Sequence, residues 1–598
     1  MFLAAAATAA MATSSGCASP LFDQPERDLR RAVREASARE LAEAQRRPQG
    51  VTTRREALAA ELKLEPEVLE ELNRMAGPQS YANDRLDLGV SLYGSEQPIA
   101  MITLEHVVKT AVENNLNASF ARLAPAIGQA QVAAAEAAFD WVLFNNATWS
   151  LTDQPRTNSS INGSTVGVSV NNQNSFDNAI GVRKPLISGG QVTVQHQFVY
   201  TDDSTPNLFL NPDPSRSTNI VLQLDQPLLR NFGSDFTLAQ VRLARNEERD
   251  SIQELKGTLD RTVSDAEELY WNLARARDDL LVLQRLLARG EEVVEKLRTR
   301  PDVRPSNLAN ATSAVLSRRA DVRRAQRVLR SASDALKVAM NDRDYPIGGE
   351  VLLLPVDTAI DQPVEFSLLD ALNTAMANRP EIQRAIISID NTSIRRLAAD
   401  NQRLPQLNLR ALTRFNALAG STADAYDELT SGRFIDYQVQ VLFEMPIGNR
   451  AAEASYRQRM LESMQAVIAY QNTLQNVFSE VKNQLRNIAT DYALIEDTRV
   501  ARLAAAEELR QLLNDEETTA GLTPEFLDLK LRQQQSLAAA EQQENQALVD
   551  YNIALARLHL ATGTALERNR ILFEVPHIRP EARESDLFPD YTGEPGVR

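Results

Sequence analysis

The chain has few histidine and cysteine side chains, the types that most often bind zinc or act as nucleophiles. It has four histidines among 598 residues, scattered without the short spacing that zinc ligands show on one helix or loop. They are His106, His196, His559 and His577. The one cysteine, Cys17, lies in a terminal segment with the composition of a signal peptide, so it is a poor candidate nucleophile. We therefore predict no metal site, no cofactor and no enzymatic activity.

A segment rich in small residues is the next candidate for chemistry, as a nucleotide-binding loop. Residues 187–191, Ile-Ser-Gly-Gly-Gln, are similar to the signature loop of ABC ATPases. Such an ATPase also needs a Walker A loop, and no Gly-Lys dipeptide occurs anywhere in the chain. The same residues are typical of a tight turn between two strands, which is what we predict here.

Paired carboxylates are the remaining chemical candidates. Glu267-Glu268 and Asp278-Asp279 occupy outer positions of the seven-residue repeat described below, so we predict solvated surface charges rather than an acid–base pair. Over the whole chain, 80 acidic residues exceed 64 basic ones, and the net charge is −16. This charge argues against a nucleic-acid partner.

The segment before Cys17 resembles a bacterial lipoprotein signal. Residues 2–16 are apolar and then small, which predicts removal of residues 1–16 and lipidation of Cys17. Two features depart from that pattern, because Ser14 stands where Leu is usual and no Lys or Arg precedes the apolar run. The alternative is that Cys17 is an incidental residue of a disordered terminus.

Residues 17–98 are charged, rich in Arg and interrupted by Pro, Gly and Ser. We expect an extension or linker that packs poorly, with one amphipathic helix from Leu58 to Met75. The segment contains no motif to which a function can be assigned.

The elements that would position these side chains are long helices. One seam of residues recurs every seven positions: Ile252, Leu259, Ala266, Leu273, Leu280, Leu287 and Val294. A second seam contains Leu255, Thr262, Leu269, Ala276, Leu283, Gly290 and Leu297, in which Gly290 is the weak member. A seven-residue repeat of this length predicts a helix that supercoils against other helices. At about 1.5 Å per residue, a helix from Leu238 to Arg300 would span roughly 90 Å.

The same arrangement of strand, proline turn and long helix occurs twice. The interval from Pro305 to Pro524 equals the interval from Pro227 to Pro446, so the breaks before and after each long helix are in register. The helix that opens each half, with predicted N-caps Thr103 and Ser367, recurs at a longer interval. We therefore predict an internal duplication whose first half has additional residues between its opening helix and its proline turn. The seam of the second long helix comprises Leu474, Phe478, Val481, Leu485, Ile488, Tyr492 and Ile495.

These intervals predict the domain organisation of the chain. The predicted segments are a signal peptide (1–16), the extension (17–98), a first repeat (99–345, with strands in 145–225 and a helical hairpin at 238–340), a linker (346–365), a second repeat (366–566, with strands in 404–445 and a hairpin at 450–562) and a tail (567–598).

Segments of alternating polarity precede each long helix. They are residues 145–152, 176–186, 191–201 and 219–225 in the first half, and 407–415 and 437–444 in the second. Alternation alone is also typical of a soluble sheet with one buried face. Two features favour a membrane β-barrel: the polar face is rich in Gln, Asn and Thr, and aromatic residues cluster at the strand ends. No run of about eighteen apolar residues occurs, so we expect no transmembrane helix.

Taken together, these motifs resemble the TolC-type outer-membrane efflux family. The similar features are Thr103-Leu-Glu with Ser367-Leu-Leu-Asp370, Gln226-Pro-Leu-Leu with Glu444-Met-Pro-Ile447, and Ser536-Leu-Ala-Ala-Ala-Glu541 followed by Asp550-Tyr-Asn-Ile-Ala-Leu555 and Gly563. The resemblance covers about residues 100–566. It implies a mainly helical fold with membrane β-strands, built as two internal repeats with long coiled-coil hairpins.

The resemblance also implies partners. Three chains would form a homotrimer whose strands close one barrel in the outer-membrane lipid of a Gram-negative-type bacterium, while the long helices form a tunnel through the periplasm. The hairpin tips, at residues 300–307 around Pro305 and 520–525 around Pro524, would contact a periplasmic adaptor (membrane fusion protein) and an inner-membrane pump of the RND, ABC or MFS class. Independently, a few strands cannot close a barrel, and open sheet edges cannot face lipid.

Two features depart from the usual pattern of that family. Six strands per chain are predicted instead of four, so three chains would form about eighteen strands rather than twelve. Alternatively, the additional hairpin around Ser188 packs elsewhere. The family often has two aspartates that narrow the tunnel, and the matching positions here are Leu529 and Arg532. Glu525 and Asp528 lie one turn nearer the tip, so Glu525, Asp528 and Arg532 are the candidate constriction, with solvated helix-end charges as the alternative.

We therefore predict a passive exit duct of a tripartite efflux or type I secretion system, which conducts what an inner-membrane pump delivers. The alternative is a periplasmic coiled-coil adaptor or structural scaffold with a soluble β domain. The two differ in whether the strands close into a self-contained soluble domain or need further copies of the chain.

Overall fold

The computed structural model describes residues 23–46, 50–55, 62, 64–77, 80–81, 85–155, 159–161, 164–166, 170–205, 210–299, 304–518 and 523–575. Cys17 and the predicted signal peptide lie outside the described residues, as do parts of both hairpin tips and the end of the tail. The chain forms two compact units. Among the described residues, one unit contains residues 23–32, 127–249 and 386–468. The other, called the helical unit below, contains residues 33–126, 250–385 and those from 469 onward.

The helices of the described residues are α1 (Asp23–Arg46), α2 (Pro66–Met75), α3 (Leu104–Asn114), α4 (Leu116–Glu136), α5 (Ser234–Thr237), α6 (Ala239–Arg298), α7 (Pro305–Met340), α8 (Leu368–Asn378), α9 (Pro380–Asn401), α10 (Thr422–Ser431), α11 (Arg450–Thr518), α12 (Pro524–Thr562) and α13 (Ala565–Arg568). Below, α6 and α7 are hairpin 1, and α11 and α12 are hairpin 2.

The strands are β1 (Val51–Thr52), β2 (Ile99–Ile102), β3 (Val142–Pro155), β4 (Ser159–Ile161), β5 (Ser164–Val166), β6 (Val170–Pro185), β7 (Gln191–Asp203), β8 (Ser215–Pro227), β9 (Leu352–Pro355), β10 (Glu365–Phe366), β11 (Gln406–Ala419) and β12 (Phe434–Glu444). Six of them form one antiparallel sheet in the order β12-β11-β8-β7-β6-β3. Each of the six predicted strands is present in this sheet. The predicted turn at residues 187–191 joins β6 to β7, where Leu186 N donates to Gly190 O at 2.7 Å.

The duplication is visible in how the helices begin. The Thr103 side chain caps α3 by accepting from His106 N at 3.4 Å, and Ser367 caps α8 by accepting from Asp370 N at 3.3 Å. Pro305 and Pro524 each occupy the first turn of α7 and α12, where the missing N–H has no partner to lose. These matching helix starts confirm that the same arrangement occurs in both halves of the chain.

The helical unit has its core along the predicted seams, but α6 buries more of its surface than two seams. The seam from Leu474 to Ile495 is buried throughout, and α6 additionally buries Tyr270 and Trp271. Glu267 is 3 % exposed and accepts from Asn569 Nδ2 at 2.8 Å. The prediction of a solvated surface charge is therefore wrong for Glu267, because α6 is covered by neighbouring elements on more than one side. It is also wrong for Asp279, whose Oδ1 is buried without a hydrogen-bond partner among the described residues.

The N-terminal extension also differs from the expectation. Leu72 and Ala76 are fully buried against hairpin 2, Tyr81 is buried, and β1 pairs with β10. Residues 64–77 and 80–81 of this segment therefore pack closely, and the prediction of poor packing is wrong for them. Its helix begins at Pro66, because Glu65 has an extended backbone, whereas the predicted start at Leu58 lies outside the described residues.

Candidate membrane-facing sheet and helix tips

The register of the six-stranded sheet places the alternating residues of neighbouring strands on common faces. Cross-strand partners such as Trp149 and Phe176, Phe176 and Tyr200, and Ala411 and Val439 lie on one face. Because directly opposite residues point to the same side of a sheet, this register aligns all six alternations. A slip of one residue in any pair would have mixed polar and apolar positions on both faces.

The face that contains Trp149, called the apolar face, carries aromatic or aliphatic residues on all six strands, although a few polar side chains such as Asn178 and His196 also lie on it. Its members include Leu143, Trp149, Leu151, Phe176, Ile180, Val194, Phe198, Tyr200, Leu222, Phe415, Tyr437, Val439, Val441 and Phe443. The residues on the outer strands are strongly exposed, for example Trp149 at 68 % and Val439 at 74 %. A contiguous exposed apolar surface of this kind marks contact with a membrane or another protein.

The opposite face, called the polar face, carries amides, hydroxyls and charges that bond to one another across strands. Gln197 Nε2 donates to Asp177 Oδ1 at 2.9 Å, and Arg410 Nε donates to Asp225 Oδ1 at 2.5 Å. The Ser150 and Ser175 hydroxyls lie 2.8 Å apart. Such a surface is suited to line a water-filled space.

At one end of the sheet, the short helix α10 covers part of the apolar face, to which His196 belongs because it is the cross-strand partner of Ile180. Ala425 is fully buried, and the ring of Tyr426 stacks on His196 with centroids 5.6 Å apart. His196 is in turn bonded to Thr218 Oγ1 at 2.9 Å. This helix lies between the two predicted strands of the second half, and no sequence signal had indicated it. It leaves the outer strands β3 and β12 uncovered.

The outer strands are also the free edges of the sheet. Among the described residues, β3 pairs only with β6 along its length, and β12 pairs only with β11. Each of these strands therefore presents one row of backbone N–H and C=O groups without a strand partner. Soluble proteins usually protect such edges with charged residues or proline, whereas these strands carry Trp149, Leu151, Val439 and Val441.

The candidate constriction residues lie in the first turns of α12. Glu525 and Arg532 are exposed, and Asp528 forms an ion pair with Arg532 one turn further along the helix. The structure therefore neutralises one of the two candidate acids within the chain itself. Within the described residues, no cluster of three or more His, Cys, Asp or Glu side chains is placed to bind a metal.

A buried arginine close to these tips was missed by sequence reasoning. The apolar seam of α7 contains Ala311, Val315, Val322 and Leu329, and Arg318 occupies the seam position between Val315 and Val322. Its guanidinium donates to Leu286 O at 3.0 Å in α6, and to Gln534 Oε1 at 2.9 Å and Leu531 O at 3.0 Å in α12. A charged residue inside an apolar heptad seam was the signal that could have identified it.

Comparisons with known proteins bear on this fold. No protein-family model matches the chain, and no curated protein sequence matches it. Solved structures do match. The Campylobacter jejuni CmeC outer membrane channel matches with a TM-score of 0.55 at 17 % identity, over 81 % of this chain and 93 % of that one.

Two further outer-membrane proteins give similar values. The Neisseria gonorrhoeae MtrE outer membrane channel, in its open state, matches with a TM-score of 0.52 at 16 % identity, over 77 % of this chain and 89 % of that one. The Vibrio cholerae outer membrane protein VceC matches with a TM-score of 0.53 at 15 % identity, over 77 % of this chain and 96 % of that one.

The chain has the fold of the TolC-type outer-membrane channels. The similarity spans almost the whole length of those channels, so it includes both the sheet and the long hairpins. The sheet of the described residues has six strands, the number that the alternating segments predicted. None of the described helices is long and apolar enough to cross a bilayer.

Proposed function

We propose that three copies of the chain form a duct in the outer membrane of a Gram-negative-type bacterium. The duct passively conducts what an inner-membrane pump delivers, in a tripartite efflux or type I secretion system. The observation that carries this proposal is the six-stranded sheet, which has an exposed apolar face, a polar face and two edges without a partner strand among the described residues.

The sheet edges support assembly from several copies. Within a bilayer each backbone N–H and C=O must be hydrogen-bonded, so β3 of one copy would pair with β12 of the next. Because β3 and β12 are different edges, the contact is head-to-tail, which is the type of contact that forms a ring when the rotation between copies closes. Three copies would form a barrel of about eighteen strands, a size at which barrels enclose an aqueous channel.

Two helices carry exposed apolar stripes that also support assembly. On α4 the stripe is Leu116, Phe120, Leu123 and Ile127, and Phe120 is 79 % exposed. On α11 the stripe is Met460, Leu461, Met464 and Ile468. Spacings of three and four residues, with Met460 and Leu461 adjacent to each other, place each set on one side of its helix, as at the seam between packed helices. The homotrimer would cover these stripes.

The partners of the duct follow from the fold by analogy. The tips around Pro305 and Pro524 would contact a periplasmic adaptor, which couples the duct to an inner-membrane RND, ABC or MFS pump. The Glu525, Asp528 and Arg532 side chains would form charged rings near the entrance. Lipidation of Cys17 would add an anchor in the outer membrane, and mass spectrometry of the purified N-terminal peptide tests for it.

The test of the duct uses the full-length protein expressed in a Gram-negative host. We expect outer-membrane fractionation, heat-modifiable gel mobility and stepwise conductance of the purified oligomer in planar bilayers. Val439→Asp, on the apolar face, should abolish membrane insertion, whereas Gln440→Asp, the neighbouring residue on the polar face, should preserve it. A water-soluble protein that forms no conducting oligomer would refute the proposal and favour the scaffold.

A further inference from the structure

The N-terminal extension contacts both helical hairpins. Its described residues between Leu64 and Gly89, called the strap, lie first on hairpin 2 and then on hairpin 1. All of these contacts lie within the helical unit. The duct function requires the hairpins to shift against each other at their tips, so a segment seated on both of them constrains that movement.

The first half of the strap is seated on hairpin 2. Leu72 and Ala76 are fully buried with Leu503, Ala506 and Leu509 of α11 and with Leu537 and Ala540 of α12. Polar contacts surround these buried apolar residues. Arg502 donates to Ala76 O at 2.8 Å and to Asn73 Oδ1 at 3.0 Å, and its charge is balanced by Glu544, 2.5 Å away.

The chain then bends at Gly77. Its φ is +105°, a region that favours glycine, and an added Cβ would lie 2.9 Å from Arg502 Cζ. The Gly77 N–H donates to Glu541 Oε1 at 2.8 Å, which holds the bend on α12. The bend directs the following residues towards hairpin 1.

The second half of the strap is seated on hairpin 1. After the bend, Arg285 donates to Ser80 Oγ at 2.5 Å and also to Ser80 O. Hairpin 1 also binds the strap just before the bend, where Arg289 donates to Met75 O at 3.1 Å. Further along, Gln284 donates to Asp87 O at 2.6 Å, and Arg330 of α7 donates to Leu88 O at 2.6 Å.

Tyr81 contacts both hairpins. Its ring packs with Leu281, Val282 and Leu286 of α6 and with Ala538 of α12. Its hydroxyl donates to Asn545 Oδ1 at 3.0 Å in α12, and the Arg285 guanidinium lies 5.6 Å from the ring centroid. Separation of the hairpins along this line would break contacts of Tyr81 on one side or the other.

We propose that the strap ties hairpin 1 to hairpin 2 and favours the arrangement in which their tips are in contact. It crosses α6 at Arg285, about 20 Å before the helix ends, and α12 at Glu541, roughly 25 Å from its start. A tie at this distance limits opening at the tips while the hairpin ends remain free to bind a partner. The consequence for opening rests on the proposed duct function, whereas the tie itself does not.

The test compares the wild-type oligomer with the double variant R285M/Y81F. These substitutions remove the hydrogen bonds to Ser80 and Asn545 but keep most of the apolar volume. The matched control is R323M/Y93F, which makes the same chemical changes at exposed positions. Hydrogen–deuterium exchange is measured on the full-length protein, with residues 250–270 as an internal reference for folding.

In R285M/Y81F we expect exchange to rise severalfold at residues 285–299 and 523–545, with no change at 250–270 or in the control. Increased exchange confined to residues 64–89, or none, would overturn the tie, because the strap would then be only a surface covering. In planar bilayers the same variant should spend a severalfold larger fraction of time open, and an unchanged open fraction would overturn the effect on opening. Absence of current in wild type would refute the duct, while the exchange result would still decide the tie.

Discussion

Gly290 in α6 lies directly beneath the buried guanidinium of Arg318 in α7. A Cβ at position 290 would lie 2.7 Å from Arg318 Nη1 and 3.2 Å from Val315 Cγ2. This contact explains why the weak member of the α6 seam is a glycine: the missing side chain leaves the space through which Arg318 reaches Leu286 O and the α12 residues.

Gly290→Ala should therefore destabilise the protein, although alanine favours helices by about 1 kcal/mol. The added methyl group would displace Arg318 from buried acceptors, at a cost of about 1–3 kcal/mol for each acceptor left unpaired. Gly257→Ala on the same helix is the control, because its Cβ would meet Pro380 at 3.5 Å, an ordinary contact. Thermal unfolding followed by circular dichroism should show a lower midpoint for the first variant and an equal or higher midpoint for the second.

Arg318→Lys should also destabilise the folded protein, because a lysine cannot reach acceptors on α6 and α12 at the same time. The loss should be at least about 1 kcal/mol, since buried acceptors lose their donor. Arg319, which is half exposed and pairs with Glu291, provides the control Arg319→Lys, which should change stability by less than about 0.5 kcal/mol. Equal denaturant midpoints for the two variants would contradict a structural role for Arg318.

Asp279 should make the free energy of unfolding depend on pH between about 4 and about 7. Burial, reinforced by the neighbouring carboxylate of Asp278 and opposed by Arg275, raises its pKa from 3.8 to about 7. Between these values the unfolded chain has lost the proton that the folded chain retains, so stability falls as pH rises from about 4 to about 7. Asp279→Asn should remove this loss, with the largest gain in unfolding midpoint above pH 7 and little gain below pH 4.

His559 should produce the opposite acid response. Burial, with a smaller contribution from Arg568, lowers its pKa from 6.5 to about 4, and its Nδ1 lies 3.0 Å from Thr564 Oγ1. As pH falls from 6.5 towards 4, the unfolded chain binds a proton that the folded chain does not, so stability decreases. His559→Gln should be relatively more stable than wild type at pH 5 than at pH 8.

Arg532→Ala should increase the preference of the proposed duct for cations. Removing the guanidinium frees the Asp528 carboxylate from its ion pair and makes each tip more negative. Reversal potentials in a salt gradient should shift towards the cation value, and Arg323→Ala, at an exposed position of α7, should leave them unchanged. An unaltered reversal potential would contradict the proposal that Glu525, Asp528 and Arg532 form the constriction.

Features that repeat along the sequence were predictable. The heptad seams identified α6 and α11, the repeated interval between equivalent prolines located Pro305 and Pro524 at helix starts, and alternation located all six strands of the sheet. These signals depend on a residue's neighbours within about two turns or on the spacing between equivalent positions, so they can be read without knowing which elements meet.

Features that depend on contacts between distant residues were decided by the tertiary structure. Arg502 binds the carbonyl of Ala76, which is far away in the sequence, and the burial of Glu267 depends on Asn569. The strap therefore looked like a charged, weakly packed extension, and Glu267 looked like a surface charge. A charged side chain in a sequence is judged by its usual preference for water, whereas its actual environment is set by whichever elements the fold packs around it.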